Sequence, residues 1–321
     1  MRELPAIKVA LPLALVSGLL AVLALGWAPA LPADPAAAAI VRWEIRLPRV
    51  LIAALAGASL GLCGAALQGF LRNPLASPDL IGSANGAALG AVGVLYFGNP
   101  AWGALALPLG GIIGALLATW GVWRLAGPRA GVATIILAGV AVNALAIALV
   151  SLLLNLAPSP YAVQEILLWM LGSVANRSLA DLWTLLPGTL LGWALLLGTG
   201  RALETLTLGE ETAHTLGVDP LRLRARIFGA TACAVGSAVA VTGAIGFVGL
   251  VVPHLLRPLV GHRPAPLLWL SALGGAALLL AADLVVRLLP EGTDLKLGVV
   301  TSLVGAPFFL YLILKSRREW P

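Results

Sequence analysis

Charged side chains are so sparse along this chain that most of what lies between them is unbroken apolar sequence, about 18 residues or longer at a stretch. About 20 apolar residues in a helix cross about 30 Å of hydrocarbon, so such runs read as membrane spans. The composition agrees: 60% of the 321 residues are hydrophobic and 11% charged, with a mean hydropathy of +0.99. A soluble domain carries about a quarter charged residues. The runs are continuous and rich in Leu, Ala and Gly, without the alternation that barrel strands need. The expected fold class is therefore all-α, a polytopic membrane protein forming a single transmembrane domain over 1–321.

Charges and Pro/Gly breaks place ten expected spans near 9–27, 50–70, 80–97, 103–123, 132–154, 182–200, 227–244, 247–260, 266–289 and 298–314. The charge-free run from Ile227 to Leu256 is read as two spans, because Gly243, Gly246, Gly249 and Pro253 argue for a break inside it. A short apolar piece, Ile166 to Gly172 within about 163–172, is too short to cross and reads as an interfacial helix. Ala28-Pro29-Ala30 resembles a cleavage site, but the preceding apolar stretch is long for a signal peptide, so the first segment is expected to be retained as a span.

Ten spans put both termini on one side. With that side cytoplasmic, 14 of the 20 Lys and Arg fall inside and only Arg42, Arg46, Arg49, Arg177, Arg287 and Lys296 fall outside, as the positive-inside rule requires. The net charge of +6 is thereby explained by topology, and no nucleic-acid partner is expected. Cys63 and Cys233 lie in apolar runs and make neither a disulfide framework nor a metal site. Small residues at Gly57/Gly61, Gly86/Gly90, Gly110/Gly114 and Gly188/Gly192 have the spacing that lets helix backbones approach. Trp27, Trp43, Trp102, Trp123, Trp183 and Trp320 fall near span ends and read as interfacial anchors.

Groups for catalysis are scarce. Asp283 is the one acid clearly inside a span, and its i,i+4 spacing to Arg287 predicts a local ion pair. The three His form no paired zinc motif, and none of the three Lys sits in a phosphate-binding loop, so no metal, no catalytic residue and no ATPase site is expected in this chain. Any ATP and Mg used in transport would belong to another polypeptide.

Four segments are more specific. They are Arg46-Leu47-Pro48-Arg49; Gln68-Gly69-Phe70-Leu71-Arg72-Asn73-Pro74-Leu75-Ala76-Ser77-Pro78; Leu208-Gly209-Glu210-Glu211-Thr212-Ala213-His214-Thr215-Leu216-Gly217-Val218; and Gly243 to Arg257, followed farther on by Gly305-Ala306-Pro307-Phe308-Phe309. In this order and spacing they resemble the FecCD family, permease subunits of type II ATP-binding-cassette importers for ferric siderophores, haem and cobalamin. The resemblance runs from about Arg46 to Lys315.

The resemblance implies a ten-helix subunit in the bacterial inner membrane, paired with a second copy around a central pathway. Two ATPase subunits would bind inside and a periplasmic substrate-binding protein outside. It assigns docking of the binding protein to Arg46, Arg49 and Arg287, ATPase coupling to Gly209, Glu210, Glu211, Leu216 and Gly217 within a cytoplasmic connection of about 201–226, and a cytoplasmic gate to Asn73 and Leu75. Read alone, Asn73-Pro74-Leu75 is equally a plain turn, since Pro74 forbids helix continuation and pushes Asn73 to an extended conformation. One departure stands out: Asp294-Leu295-Lys296-Leu297-Gly298 has Lys296 where the family usually has Pro. An ion-coupled secondary transporter is the alternative, for which Asp283 would be the carrier acid. An intramembrane enzyme would need a nucleophile beside a base, which His254 and the scattered serines do not assemble.

Overall fold

A computed structural model of the chain describes residues 5–26, 32, 34–99, 102, 105–127, 130–290 and 295–319. Arg2, Trp27, the Ala28-Pro29-Ala30 segment, Arg129, Asp294 and Trp320 lie outside the described residues. Among the described residues the chain is helical, with no strand.

The helices begin where chain chemistry starts them. Helix α1 (Ala6–Gly26) is followed by a short α2 (Pro35–Ile40), whose start is capped by the Asp34 carboxylate. A π-helical turn (Val41–Arg46) then feeds α3 (Leu47–Phe70). After a 3-10 turn at Pro78–Ile81 come α4 (Ser83–Phe97), α5 (Ala106–Ala126) and α6 (Val132–Asn155). Helix α7 (Pro160–Met170) is the short amphipathic piece expected outside the spans, and Ser159 caps it. Helix α8 (Leu179–Leu196) opens on a reciprocal Ser178/Asp181 capping box. Two short helices, α9 (Thr199–Leu206) and α10 (Glu210–Thr215), lead to α11 (Pro220–Thr242), capped by Asp219. The expected break follows: residues 243–246 are non-helical before α12 (Val248–Leu256) and its 3-10 extension Arg257–Val260. Helices α13 (Pro264–Leu288) and α14 (Leu297–Glu319) complete the bundle.

Seven helices among the described residues, counting 35–70 as one, are long and apolar enough to cross a membrane. Three shorter apolar ones occupy 83–97, 248–260 and 297–312. The main positional difference from the sequence reading is at α11, which starts at Pro220 where 227 was expected. Arg224 and Arg226 lie within the helix, which Asp219 caps, and their guanidinium groups satisfy carbonyls at the ends of α5 and α8: Arg224 bonds Gly127 O, and Arg226 bonds the Leu195 and Leu197 carbonyls.

Helix α3 is the buried axis, packed on α13, α11, α12 and α8. Its contact with α13 is a backbone contact: a Cβ on Gly57 or Gly61 would overlap the carbonyls of Gly275 and Ser271. The same device joins α4 to α5, where Gly86 and Gly90 face Gly114 and Gly110, and α8 to α11, where Gly188 and Gly192 meet Ser237 and Ala230. In lipid, where apolar surface alone does not drive helices together, such close approach supplies the packing energy. All four small-residue pairs expected from the sequence are therefore interfaces. Of the tryptophans, Trp43, Trp102 and Trp183 are exposed as expected of anchors. Trp123 differs: it lies under Arg224, 4.5 Å from the guanidinium, and packs edge-on against Phe228.

Substituting Gly61 by Val should destabilise the bundle by at least the upper end of the ~1–3 kcal/mol typical of overpacking, because the obstacle is backbone that cannot rotate away. Gly18 on α1 has open space around it, so Gly18→Val should leave the melting temperature of the purified protein nearly unchanged. Thermal unfolding of both variants in the same detergent checks the pair.

Candidate functional site

At the end of α3 nearer the chain start, one acid gathers the arginines. Arg49 Nε donates to both Asp283 oxygens at 2.9 and 3.2 Å, and its Nη2 lies 2.8 Å from Oδ1. Arg287, one turn along α13, donates from Nε to Asp283 Oδ2 at 2.8 Å. The predicted Asp283–Arg287 pair is present, and Arg49 joins it from another helix. Arg287 also donates to Ala24 O at 2.9 Å, and Arg46 to Leu25 O at 3.3 Å. These carbonyls belong to the last described turn of α1, and carbonyls at the end of a helix are favoured positions for cationic donors. The three arginines expected around an outer mouth are thus brought together as a cluster that is mostly inside the protein: the side chains of Arg287 and Asp283 are 4% and 2% exposed, that of Arg49 19%. Three cations against one carboxylate leave the cluster net positive.

At the other end of α3 the chain makes the turn that Pro74 demands. Asn73 Oδ1 accepts from Leu75 N at 2.9 Å, Asn73 N donates to Gln68 O at 3.2 Å, and Arg72 takes a left-handed conformation at φ 47°. Leu75 is exposed at 40%. The sequence reading missed the residue that organises this end, Gln68. It is fully buried; its Nε2 reaches Gly249 O at 3.5 Å and Leu250 O at 3.3 Å, and its Oε1 accepts from Arg257. Pro253 in α12 has no N–H to give the Gly249 carbonyl, so a side chain from another helix supplies the donor. Pro253 four residues after Gly249 was the available signal.

The segment assigned to coupling folds as α10 and its flanks. Gly209 at φ +106° and Gly217 at φ +84° bracket it, conformations that L side chains rarely adopt. Ala213 is the buried residue of α10, while Glu210, Glu211, Leu208 and Leu216 are exposed. Glu210 Oε1 lies 3.2 Å from Arg72 Nη2, so this segment and the Asn73 turn touch. Arg263 pairs with Glu204 of α9 at 3.2 Å and holds that helix to the start of α13. A cleft of about 1050 Å³ opens beside α10, with Phe70, Glu210, His214, Asp219 and Arg224 in its wall.

A second cavity, of about 590 Å³ and almost wholly apolar, lies between α7, the 243–246 break and α14, against Met170, Leu171, Ala244, Gly246, Val299 and Pro307. The adjoining face of α14 leaves Leu303, Val304, Leu310 and Tyr311 exposed.

Comparison with known proteins gives a consistent picture. The FecCD transport family matches residues 9–315. The ABC transporter permease protein YvrB of Bacillus subtilis (strain 168) is 42% identical over 283 residues, 87% of this chain and 80% of the relative. The hemin transport system permease protein HmuU of Yersinia pestis is 40% identical over 86% of this chain and 84% of its own length. The cobalamin import system permease protein BtuC of Halobacterium salinarum is 40% identical over 87% and 74%. A solved structure described as an inward-facing conformation of a metal-chelate type ABC transporter superposes with a TM-score of 0.87 at 33% identity, covering 96% of this chain and 99% of that one.

The arginine cluster makes a direct prediction. Replacing Asp283 by Asn leaves Arg287 and the partly exposed Arg49 without their common anion, a change that costs about 3–5 kcal/mol for buried pairs. The variant should melt well below the parent. Asp219→Asn, which removes an exposed ion pair while keeping a capping side chain, should shift melting far less.

Proposed function

The chain belongs to the FecCD transport family, and from that membership we propose that this permease works as a homodimer that carries a bulky metal chelate inward by alternating access. The cargo is a ferric siderophore, haem or cobalamin, as in relatives named for hemin and cobalamin. Each copy crosses the membrane ten times, the seven long apolar helices and the three shorter ones each counting once, with both termini cytoplasmic on the strength of the 14-to-6 split of Lys and Arg. The setting is the bacterial inner membrane. The second copy packs along the exposed face of α14, and the apolar 590 Å³ cavity becomes half of the shared pathway. The chain itself needs no cofactor; a pair of separate ATPase subunits uses ATP and Mg. A substrate-binding protein delivers the cargo from outside.

The observation that carries this reading is the Arg72–Glu210 contact. It places the turn at the inner end of α3, the proposed gate with Asn73 and Leu75, against the helix proposed to receive the ATPase. Differential binding of ATP to the partner pair then biases the dimer between two states, since a ligand shifts an equilibrium only by binding the two states unequally.

The coupling role is tested at Gly217. Gly217→Trp should reduce uptake about tenfold or more while the complex still hydrolyses ATP. Gly217→Asn, whose side chain tolerates a left-handed backbone, should retain most transport. Single cysteines at Glu211 and Leu216 should crosslink to the ATPase subunit; their protection by an external partner instead would overturn both orientation and role.

The docking role is tested at the outer cluster. Arg46→Glu with Arg49→Glu should slow association of the binding protein at low ionic strength and make the remaining binding less salt-sensitive, because such charges mainly govern encounter. Since Arg49 also holds Asp283, the variant must first elute as intact complex, and Arg49→Gln serves as the charge-removal control. Rates unchanged at both ionic strengths in a folded variant return the arginines to their structural work on α1 and Asp283.

A further inference from the structure

Between the end of α7 and the start of α14 lies a small polar cavity of about 220 Å³, walled by Leu168, Trp169, Ser173, Asn176, Arg177 and Lys296. Its chemistry is lopsided. Trp, Arg and Lys side chains can only donate hydrogen bonds. Two of these donors, Trp169 Nε1 and Arg177 Nε, are buried without a hydrogen-bond partner among the described residues. The neighbouring acid does not meet them by hydrogen bonding: Asp181 Oδ2 accepts from Ser178 N and Ser178 Oγ at 2.8 and 2.9 Å in the α8 capping box. Burial holds the Arg177 guanidinium below its usual range, and Asp181 offsets this only in part. Buried donors left unmade cost free energy, and two facing one hollow describe a place for an acceptor.

The geometry points to this hollow as a binding site for a carboxylate group of the cargo, and so to a chelate that carries free carboxylates as the preferred class. The position argues for cargo. Met170 and Leu171, next along the chain from Trp169, wall the 590 Å³ apolar cavity, and so does Gly298, two residues from Lys296. Gly298 N donates to Gly172 O at 3.1 Å and joins the two walls. The small hollow therefore sits at the rim of the large one. Its volume admits a carboxylate but no whole chelate, while the large cavity offers almost no polar group to orient a passenger. Lys296, where the family usually has Pro, adds an ammonium to this rim. This assignment rests on the import reading, and the experiment separates the two.

Protein labelled with [15N]tryptophan is placed in nanodiscs of zwitterionic lipid, and the Trp169 indole resonance is assigned by its loss in Trp169→Phe. Titration with citrate should move that resonance saturably, chloride at equal ionic strength should not, and Arg177→Gln should abolish the response. A resonance that ignores citrate, or follows chloride equally, overturns the site. A resonance already shifted in phosphatidylglycerol nanodiscs and insensitive to citrate there makes a lipid headgroup the occupant and overturns the cargo assignment. In proteoliposomes holding the full complex and its binding protein, haem, with two carboxylates, should be imported. Arg177→Gln and Lys296→Gln should each lower its initial rate about tenfold at unchanged basal ATP hydrolysis. Cobalamin imported and haem refused overturns the carboxylate preference and leaves import standing. Refusal of haem, cobalamin and ferric siderophores alike by a complex that hydrolyses ATP sinks the import reading, and the citrate titration still decides the hollow.

Discussion

The bundle depends on how closely backbones can approach α3. Gly57 and Gly61 place this helix against α13, and Gly64 places it against the Gly249 turn of α12. Three helices thereby share one axis with little side chain between them. Close approach brings a second constraint, because carbonyls trapped there have no water to satisfy them. Gln68 is the answer at one end, giving its amide to the carbonyl orphaned by Pro253 and its oxygen to Arg257. Arg46 and Arg287 are the answer at the other, giving their guanidinium groups to the last turn of α1. The polar groups along the buried axis thus complete a backbone that small residues have packed too tightly for solvent.

What the sequence made legible follows from this physics. Long apolar runs and paired glycines are local patterns, and they located the helices, the break at 243–246 and all four glycine interfaces. The Asp283–Arg287 pair was equally legible, being one turn apart on one helix. Arg49 on Asp283 was not, since that bond spans two helices 234 residues apart in sequence. Trp123 was incompletely read for the same reason: nearness to a span end suggested an anchor, and only the tertiary approach of Arg224 shows that this half-buried ring also lies under a guanidinium. Gln68 was quoted within a motif, yet its partners lie on another helix, so its work could be found only by asking where Pro253 leaves its missing hydrogen bond.

Asp283 also decides between the transport readings. A carboxylate that carries a coupling ion must exchange its partner during each cycle, and this one accepts from two arginines on two helices in a buried setting. Releasing both costs more than a single ion gradient step conveniently supplies, since one elementary charge across 100 mV is worth about 2.3 kcal/mol and breaking a buried pair about 3–5 kcal/mol. The acid that an ion-coupled carrier would have needed is, in the fold, a structural counter-ion, held in the ion pair that its spacing to Arg287 predicted.

The two ends of the molecule are joined by the same helix. From Arg49 to Gln68 α3 is continuous, and at 1.5 Å per residue that separates the arginine cluster from the Gln68 end by about 28 Å. Its attachment to the short helices is weak by contrast: Arg72 and Glu210 are 42% and 61% exposed, and such pairs are worth about 0–1 kcal/mol. A contact of that size registers α10 against the turn without locking it. The interior is rigid because backbone meets backbone, and the α10 surface is loosely tied because its charges are exposed. A displacement of α10 therefore meets little resistance locally, whereas α3 is braced by α13 and α12 into one packed body.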